Sequence, residues 1–179
     1  MNVALLSEAL RDLSAKLESR DILLSDAILK ALKIFRIFYT DEKLRVFNRE
    51  LLGYLQEEMQ EIEESRLKHE QGFVYPKQKV AYRYLTGFWV SESILKRGVK
   101  TIACLQSERI PLFCNYGVSE LELLLARLNV DEETYIGIKL VPNSQEVYLC
   151  RASQLYRMYS AIRQEVKKNI DELILEMAA

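Results

Sequence analysis

Apolar residues recur along this chain at spacings that mark out its elements. Leu6, Leu10, Leu13 and Leu17 fall three and four apart with Ser7, Arg11 and Ser14 beside them, which predicts an amphipathic helix. A second helix is expected from Ser25 or Asp26, either of which can cap its first turn, through Ala27, Ile28, Ala31, Leu32, Phe35 and Phe38. Its apolar face is broad, as expected of a central helix. Thr40 or Asp41 can cap a third, in which Leu44, Phe47, Leu51, Leu55, Met59 and Ile62 keep helical spacing up to a stop near Gln71 and Gly72.

From Pro76 to Pro111 the period changes. Val80, Tyr82 and Tyr84 alternate with Ala81, Arg83 and Leu85, and Phe88 and Trp89 follow, predicting a strand. Between Ser91 and Phe113, Ser93 to Arg97 can form a helical turn, Gly98 breaks it, and Val99 to Leu105 can form a further strand. Ser119 followed by Glu122 reads as a capping box opening a short helix to about Leu128. Ile136, Ile138 and Leu140 then share one face, Pro142, Asn143 and Ser144 supply a turn, and Glu146 to Cys150 returns, so a β-hairpin is expected within 134–150. The last segment carries Leu155, Met158, Ile162, Val166, Ile170, Leu173 and Met177 at helical spacing and is expected to pack on the N-terminal helices. These elements predict an α+β fold with a helical majority in one domain spanning 1–179, without internal repeats or linkers.

Composition adds bounds. The 179 residues are 49% hydrophobic and 28% charged, which supports a buried core and excludes wholesale disorder. With 25 Lys and Arg against 26 Asp and Glu, no global charge points to nucleic acid or an acidic membrane. Glu8, Arg11 and Asp12 interrupt the first residues before a secretory apolar stretch can form, and no apolar run approaches the roughly 20 residues of a membrane span, so a cytoplasmic, non-membrane protein is expected. Cys104, Cys114 and Cys150 lack metal-site spacing and are expected to be reduced and mostly buried.

Candidate chemistry is sparse. His69 is the only histidine, set in a polar stretch, and a His69 pair with Cys104 or Cys114 carries little weight. Glu57, Glu58, Glu61, Glu63 and Glu64 read as a solvated helix face before they read as a metal or acid–base site. Calcium-loop, phosphate-loop, dinucleotide and nucleophile-elbow motifs are absent from the sequence, so no catalytic, cofactor or metal residue is assigned. Two basic groups stand out: Lys96, Arg97 and Lys100, and the series Arg151, Arg157, Arg163, Lys167 and Lys168 along the last helix. Contact of Arg151, Arg157, Arg163 and Lys167 with phosphates is weighed against solvent-facing ion pairs with Glu165, Asp171 or Glu172. Tyr82, Tyr84, Phe88 and Trp89 read as core rather than as a base-stacking platform.

Residues 24–54, LSDAILKALKIFRIFYTDEKLRVFNRELLGY, resemble the opening signature of the AbiTii domain family. Leu24, Ser25 and Asp26 match its start, Asp41 and Glu42 its acidic break, and Glu50, Leu51, Gly53 and Tyr54 its ending. YRYLTGFW at 82–89, VSELELLL at 118–125 and the closing AIRQEVKKNIDELILEM extend the likeness over nearly the whole chain. Tyr75 and Pro76 depart from the family's order, and the run from Glu57 to Lys68 reads as an insertion. The resemblance implies an association with bacterial abortive infection and phage defence, and brings no catalytic residues with it. Gly53 and Tyr54 read as structural, the glycine for a bend or close approach and the tyrosine for packing with a bonded hydroxyl. The expected function is a non-enzymatic protein-interaction module that binds a partner protein or its own copy. The alternative is a nucleic-acid-binding regulator using the basic side of the last helix.

Overall fold

Helical periodicity dominates the described chain because most of its apolar residues fall three or four apart, and the outcome is a helix-rich α+β fold with one small antiparallel sheet. The computed structural model describes residues 3–70, 81–95, 98, 109–128 and 134–179, with only the backbone of 65–70. The helices are α1 (Val3–Ser19), α2 (Leu24–Phe38), α3 (Asp41–Leu52), α4 (Gln56–Glu70), α5 (Glu92–Leu95), α6 (Val118–Arg127) and α7 (Ala152–Ala178). The strands are β1 (Tyr84–Ser91), β2 (Ile110–Phe113), β3 (Tyr135–Ile138) and β4 (Glu146–Arg151). The chain forms two compact units: 1–54, 116–124 and 159–179 make the first, 55–115 and 125–158 the second.

In the first unit α1 buries Leu10, Leu13 and Leu17, and α2 buries Leu24, Ala27, Ile28, Ala31, Leu32 and Phe35. The distal part of α7 adds Ile162, Val166, Ile170 and Leu173 and joins the N-terminal helices through Ser14 Oγ–Asp171 (2.5 Å) and Tyr39 Oη–Asn169 O (3.1 Å). Helix α1 ends on Arg20 in the left-handed region (φ 61°), with the Asp21 amide bonded to the Lys16 carbonyl at 3.0 Å. Such a 6→1 bond across a left-handed residue closes a helix C-terminus.

The expected long third helix is two helices. Gly53 terminates α3 with φ 94° and ψ 169°, a region open essentially to glycine alone. The apolar spacing runs through the break, which is why periodicity alone merges the segments. Glu58 starts α4 afresh by accepting the Leu55 amide (3.0 Å). Cap assignments also shift. Helix α2 starts at Leu24 with Leu23 in the cap position, and Thr40 occupies the α3 cap position without a side-chain cap bond. At α6 Glu120, not Glu122, reaches back, accepting the Gly117 amide at 3.1 Å.

In the second unit the sheet order is β2-β1-β4-β3, all neighbours antiparallel. The expected hairpin is β3–β4, closed by the Ser144 amide on the Val141 carbonyl (3.0 Å). Strand β4 buries Val147, Tyr148, Leu149 and Cys150 in succession, so both its faces are covered. Tyr148 lies in the core with its hydroxyl donated to the carbonyls of Leu85 and Ile110. The expected strand from Val80 begins instead at Tyr84 after a 3₁₀ turn, Ala81–Arg83, and β2 carries residues that alternation did not mark. Val80, the Val99–Leu105 strand, Lys96, Arg97, Lys100, Cys104, Tyr75 and Pro76 lie outside the described residues.

Candidate functional site

Leu23 has no side-chain oxygen with which to cap α2, so the free amides of the first turn of that helix find partners from elsewhere in the first unit. The Glu122 carboxylate accepts the Ser25 amide at 3.1 Å and the Ser25 hydroxyl at 2.5 Å. The Tyr159 hydroxyl donates to Glu122 Oε1 (2.6 Å) and accepts the Leu24 amide (3.4 Å) and Arg163 Nη2 (3.3 Å). One donor and two acceptor positions exhaust a phenol's capacity. Burial and the adjacent Glu122 carboxylate push Tyr159 up to about 12. Arg163 Nη1 continues to the carbonyls of Leu17 (3.3 Å) and Ile22 (3.4 Å), at the end of α1 and in the connection to α2. A carboxylate thus sits at one helix N-terminus and a guanidinium at another's C-terminus, each complementing the local dipole. The Glu122, Tyr159 and Arg163 side chains are engaged by protein groups, and their chemistry is that of a cap supplied in trans.

The motif residues fall around the same helices. Leu24 is fully buried, Ser25 belongs to the cap, and Asp26 is exposed. Glu50 is buried and accepts the Tyr54 hydroxyl (2.7 Å), and Leu51 and Tyr54 are in the core. A Cβ built on Gly117 would lie 2.4 Å from the Leu51 carbonyl oxygen, so the turn before α6 packs directly on the backbone that ends α3.

A second feature lies at the corner of α2 and α3. Phe35, Tyr39 and Phe47 pack there, Phe35 and Phe47 with ring centroids 4.8 Å apart, and Tyr39 is anchored through its hydroxyl to Asn169. Burial, with Glu176 and Glu172 nearby, pushes Tyr39 up to about 12. Beside this aromatic group opens a cleft of about 520 Å³ lined by Arg36, Tyr39, Asp41, Leu44, Arg45, Asn48 and Arg49. It brings three guanidiniums and one carboxylate together. The i, i+4 spacing of Arg45 and Arg49 is visible in sequence, but Arg36 joins them only through the turn between helices.

The basic series is dispersed in role. Arg151 lies over the Tyr135 ring (5.9 Å) and Arg157 is exposed. Arg163 is committed to the cap network. Lys167 bonds Asp171 (2.7 Å) and pairs with Glu18 (3.6 Å), and the Asp171 bond is the chief reason its ammonium titrates above the usual lysine range. Lys168 lies 3.9 Å from Glu172.

In the second unit Glu58 caps α4 and Glu63 accepts the Tyr84 hydroxyl (2.8 Å), while Glu57, Glu61 and Glu64 are exposed. Among the described residues no group of three His, Cys, Asp or Glu side chains is placed to hold a metal, and no helix is long and apolar enough to cross a membrane. The His69 side chain lies outside the described residues. Cys114 and Cys150 are free thiols in the core, and burial pushes Cys150 up to about 12. Phe88 is buried and Trp89 packs edge-on against Tyr148 (5.3 Å), which places these aromatics in the sheet's packing. No family model, curated protein or solved structure matches the chain, so the likeness to AbiTii domains rests on its sequence motifs.

Proposed function

We propose that this chain is a non-enzymatic protein-interaction module of the prokaryotic cytoplasm, associated with phage defence through its AbiTii-like motifs, which binds a partner protein or a second copy of itself through a helical surface. The observation that carries the reading is the outer face of α2. Leu29 and Ile37, 49% and 47% exposed, share that face with exposed Lys33 and Arg36 at i, i+4, i+7 and i+8 spacing. Arginine is enriched at protein interfaces, and apolar side chains fill their buried centres. The polar constellation best ordered in the first unit, around Glu122, is engaged in capping, which supports a binding role over a catalytic one.

Affinity purification of the tagged chain from its native cells, with and without nuclease, tests the proposal. A stoichiometric, nuclease-resistant protein partner, or self-association of the purified chain, is expected. A chain that is monomeric and recovers no partner refutes it. The nucleic-acid alternative is disfavoured by the internal engagement of Arg163 and Lys167.

A further inference from the structure

Resting on the interaction-module reading, we infer that the chain pairs with a second copy of itself, the α1 helix of each copy seated antiparallel in the groove between α1 and the distal part of α7 of the other. That groove, within the first unit, holds about 420 Å³ and is walled by Arg11, Ser14, Ala15 and Glu18 on one side and by Ile174 and Leu175 on the other. The four α1 positions follow at i, i+3, i+4 and i+7, so they make one stripe two turns long, and Leu175 stands 71% exposed beside it. An apolar wall beside a helical stripe suits a further helix. Charge says which helix. Arg11 is exposed and has no ion-pair or hydrogen-bond partner among the described residues. The Glu18 side chain, 76% exposed, has only a 3.6 Å contact with Lys167, whose shorter bond is to Asp171. One cation and one anion on the same stripe favour neither a uniformly acidic nor a uniformly basic ligand, and Glu18 with Asp171 would repel a phosphate backbone. They do match their own image. With a two-fold axis passing between Ser14 and Ala15, Arg11 of each copy faces Glu18 of the other, and both pairs form at once, as a contact of one patch with itself requires. Ser14 and Ala15 are small, so the two helix axes can approach to about 8 Å at the crossing. The Ser14 hydroxyl is already bonded to Asp171 (2.5 Å), so closing the contact strands no polar group there. Leu175 of each copy then leaves water against the other's α1.

Sedimentation velocity of the full chain over a concentration series tests this. The wild type is expected to form a dimer that weakens as salt rises. Arg11→Glu and Glu18→Arg each set like charges opposite one another and are each expected to lose about tenfold in dimer affinity. Mixed in equal amounts, the two single variants are expected to recover it as a heterodimer, because every facing pair is then again opposite in sign. That recovery cannot come from damaged folds. Leu175→Ser, at a side chain that the free chain leaves in water, is expected to weaken the dimer as well, and Leu29→Ser combined with Ile37→Ser to leave it unchanged. A chain that stays monomeric at low salt, an affinity unmoved by both charge reversals and by Leu175→Ser, or no recovery in the mixture of two variants that melt like the wild type overturns the assignment. Loss of the dimer through the α2 substitutions alone moves the contact to α2 and overturns it equally. A monomeric chain that still captures a protein partner from its native cells overturns the pairing while the interaction module stands, and one that captures none overturns both.

Discussion

Replacing Glu122 by alanine should unfasten the N-terminus of α2. The carboxylate accepts three hydrogen bonds, from the Ser25 amide, the Ser25 hydroxyl and the Tyr159 hydroxyl. Bonds to a charged acceptor contribute about 1.5–3 kcal/mol each when buried, and loss of an ordinary helix cap costs about 0.5–2 kcal/mol. Glu122 is only partly buried, so water re-satisfies some of the freed donors. The expected loss is about 2–3 kcal/mol, a fall in Tm of roughly 5–10 °C for a chain of this length. Glu122→Gln keeps an acceptor but loses the charge at the helix terminus and should fall roughly midway between alanine and wild type. Urea unfolding followed by circular dichroism of Ser25→Ala, Glu122→Ala and the double variant supplies the coupling directly. A coupling energy of about 1 kcal/mol is expected between the two positions. If Glu122→Ala stays within about 0.5 kcal/mol of the wild type, or the two changes simply add, the trans cap does not hold α2 and the reasoning fails.

Three further outcomes follow from the same structure. Gly53→Ala should destabilise by about 2–3 kcal/mol in urea titrations, because φ 94° with ψ 169° is denied to a Cβ, and a loss below about 1 kcal/mol would mean the break between α3 and α4 can relax. Stability should fall between about pH 9 and 12: Tyr39, Tyr148, Tyr159 and Cys150 are each pushed up to about 12 in the fold, so the unfolded chain gives up their protons first and is favoured as pH rises. Unfolding free energies that stay level from about pH 8 to 11.5, with no flattening in Tyr159→Phe relative to wild type, would contradict it. Arg157→Glu should leave stability within about 0.5 kcal/mol, whereas Arg163→Glu, which abandons the carbonyls of Leu17 and Ile22, should lose about 2 kcal/mol or more; equal melting of the two would show that Arg163 is not a structural residue.

Much of the helical scaffold was legible because burial imposes a period that the side chains carry openly. Leu10, Leu13 and Leu17, the α2 face from Ala27 to Phe35, and the series from Leu155 to Leu173 are buried where their spacing places them. The β3–β4 hairpin was legible for the same reason, with its turn written in Pro142, Asn143 and Ser144. The helix break at Gly53 was hidden because Leu51 and Leu55 continue the periodicity across it. Strand β2 was hidden because, only four residues long and with Pro111 among them, it shows no alternation. What local reading could not reach was partnership. Glu122 looks like the acid of a capping box with Ser119, yet serves the first turn of α2 from 97 residues away. Arg163 looks like one of a row of surface cations, yet its guanidinium closes the end of α1. The arginine cleft needs a helix corner before Arg36 can stand beside Arg45.

The first unit is assembled from three separated stretches of chain, and that order has a consequence during synthesis. Helices α1, α2 and α3 leave the ribosome ahead of the rest of this unit: the α6 segment that supplies Glu122 emerges only after residues 55–115, and the α7 segment that supplies Tyr159, Arg163 and Val166 only after residues 125–158. Until α7 emerges, the N-terminal helices lack Ile162, Val166, Ile170 and Leu173, which complete the core of the first unit. Completion of that unit therefore waits on synthesis of the other, and a ribosome paused before α7, or a truncation there, leaves a species that chaperones and proteases would meet as unfolded.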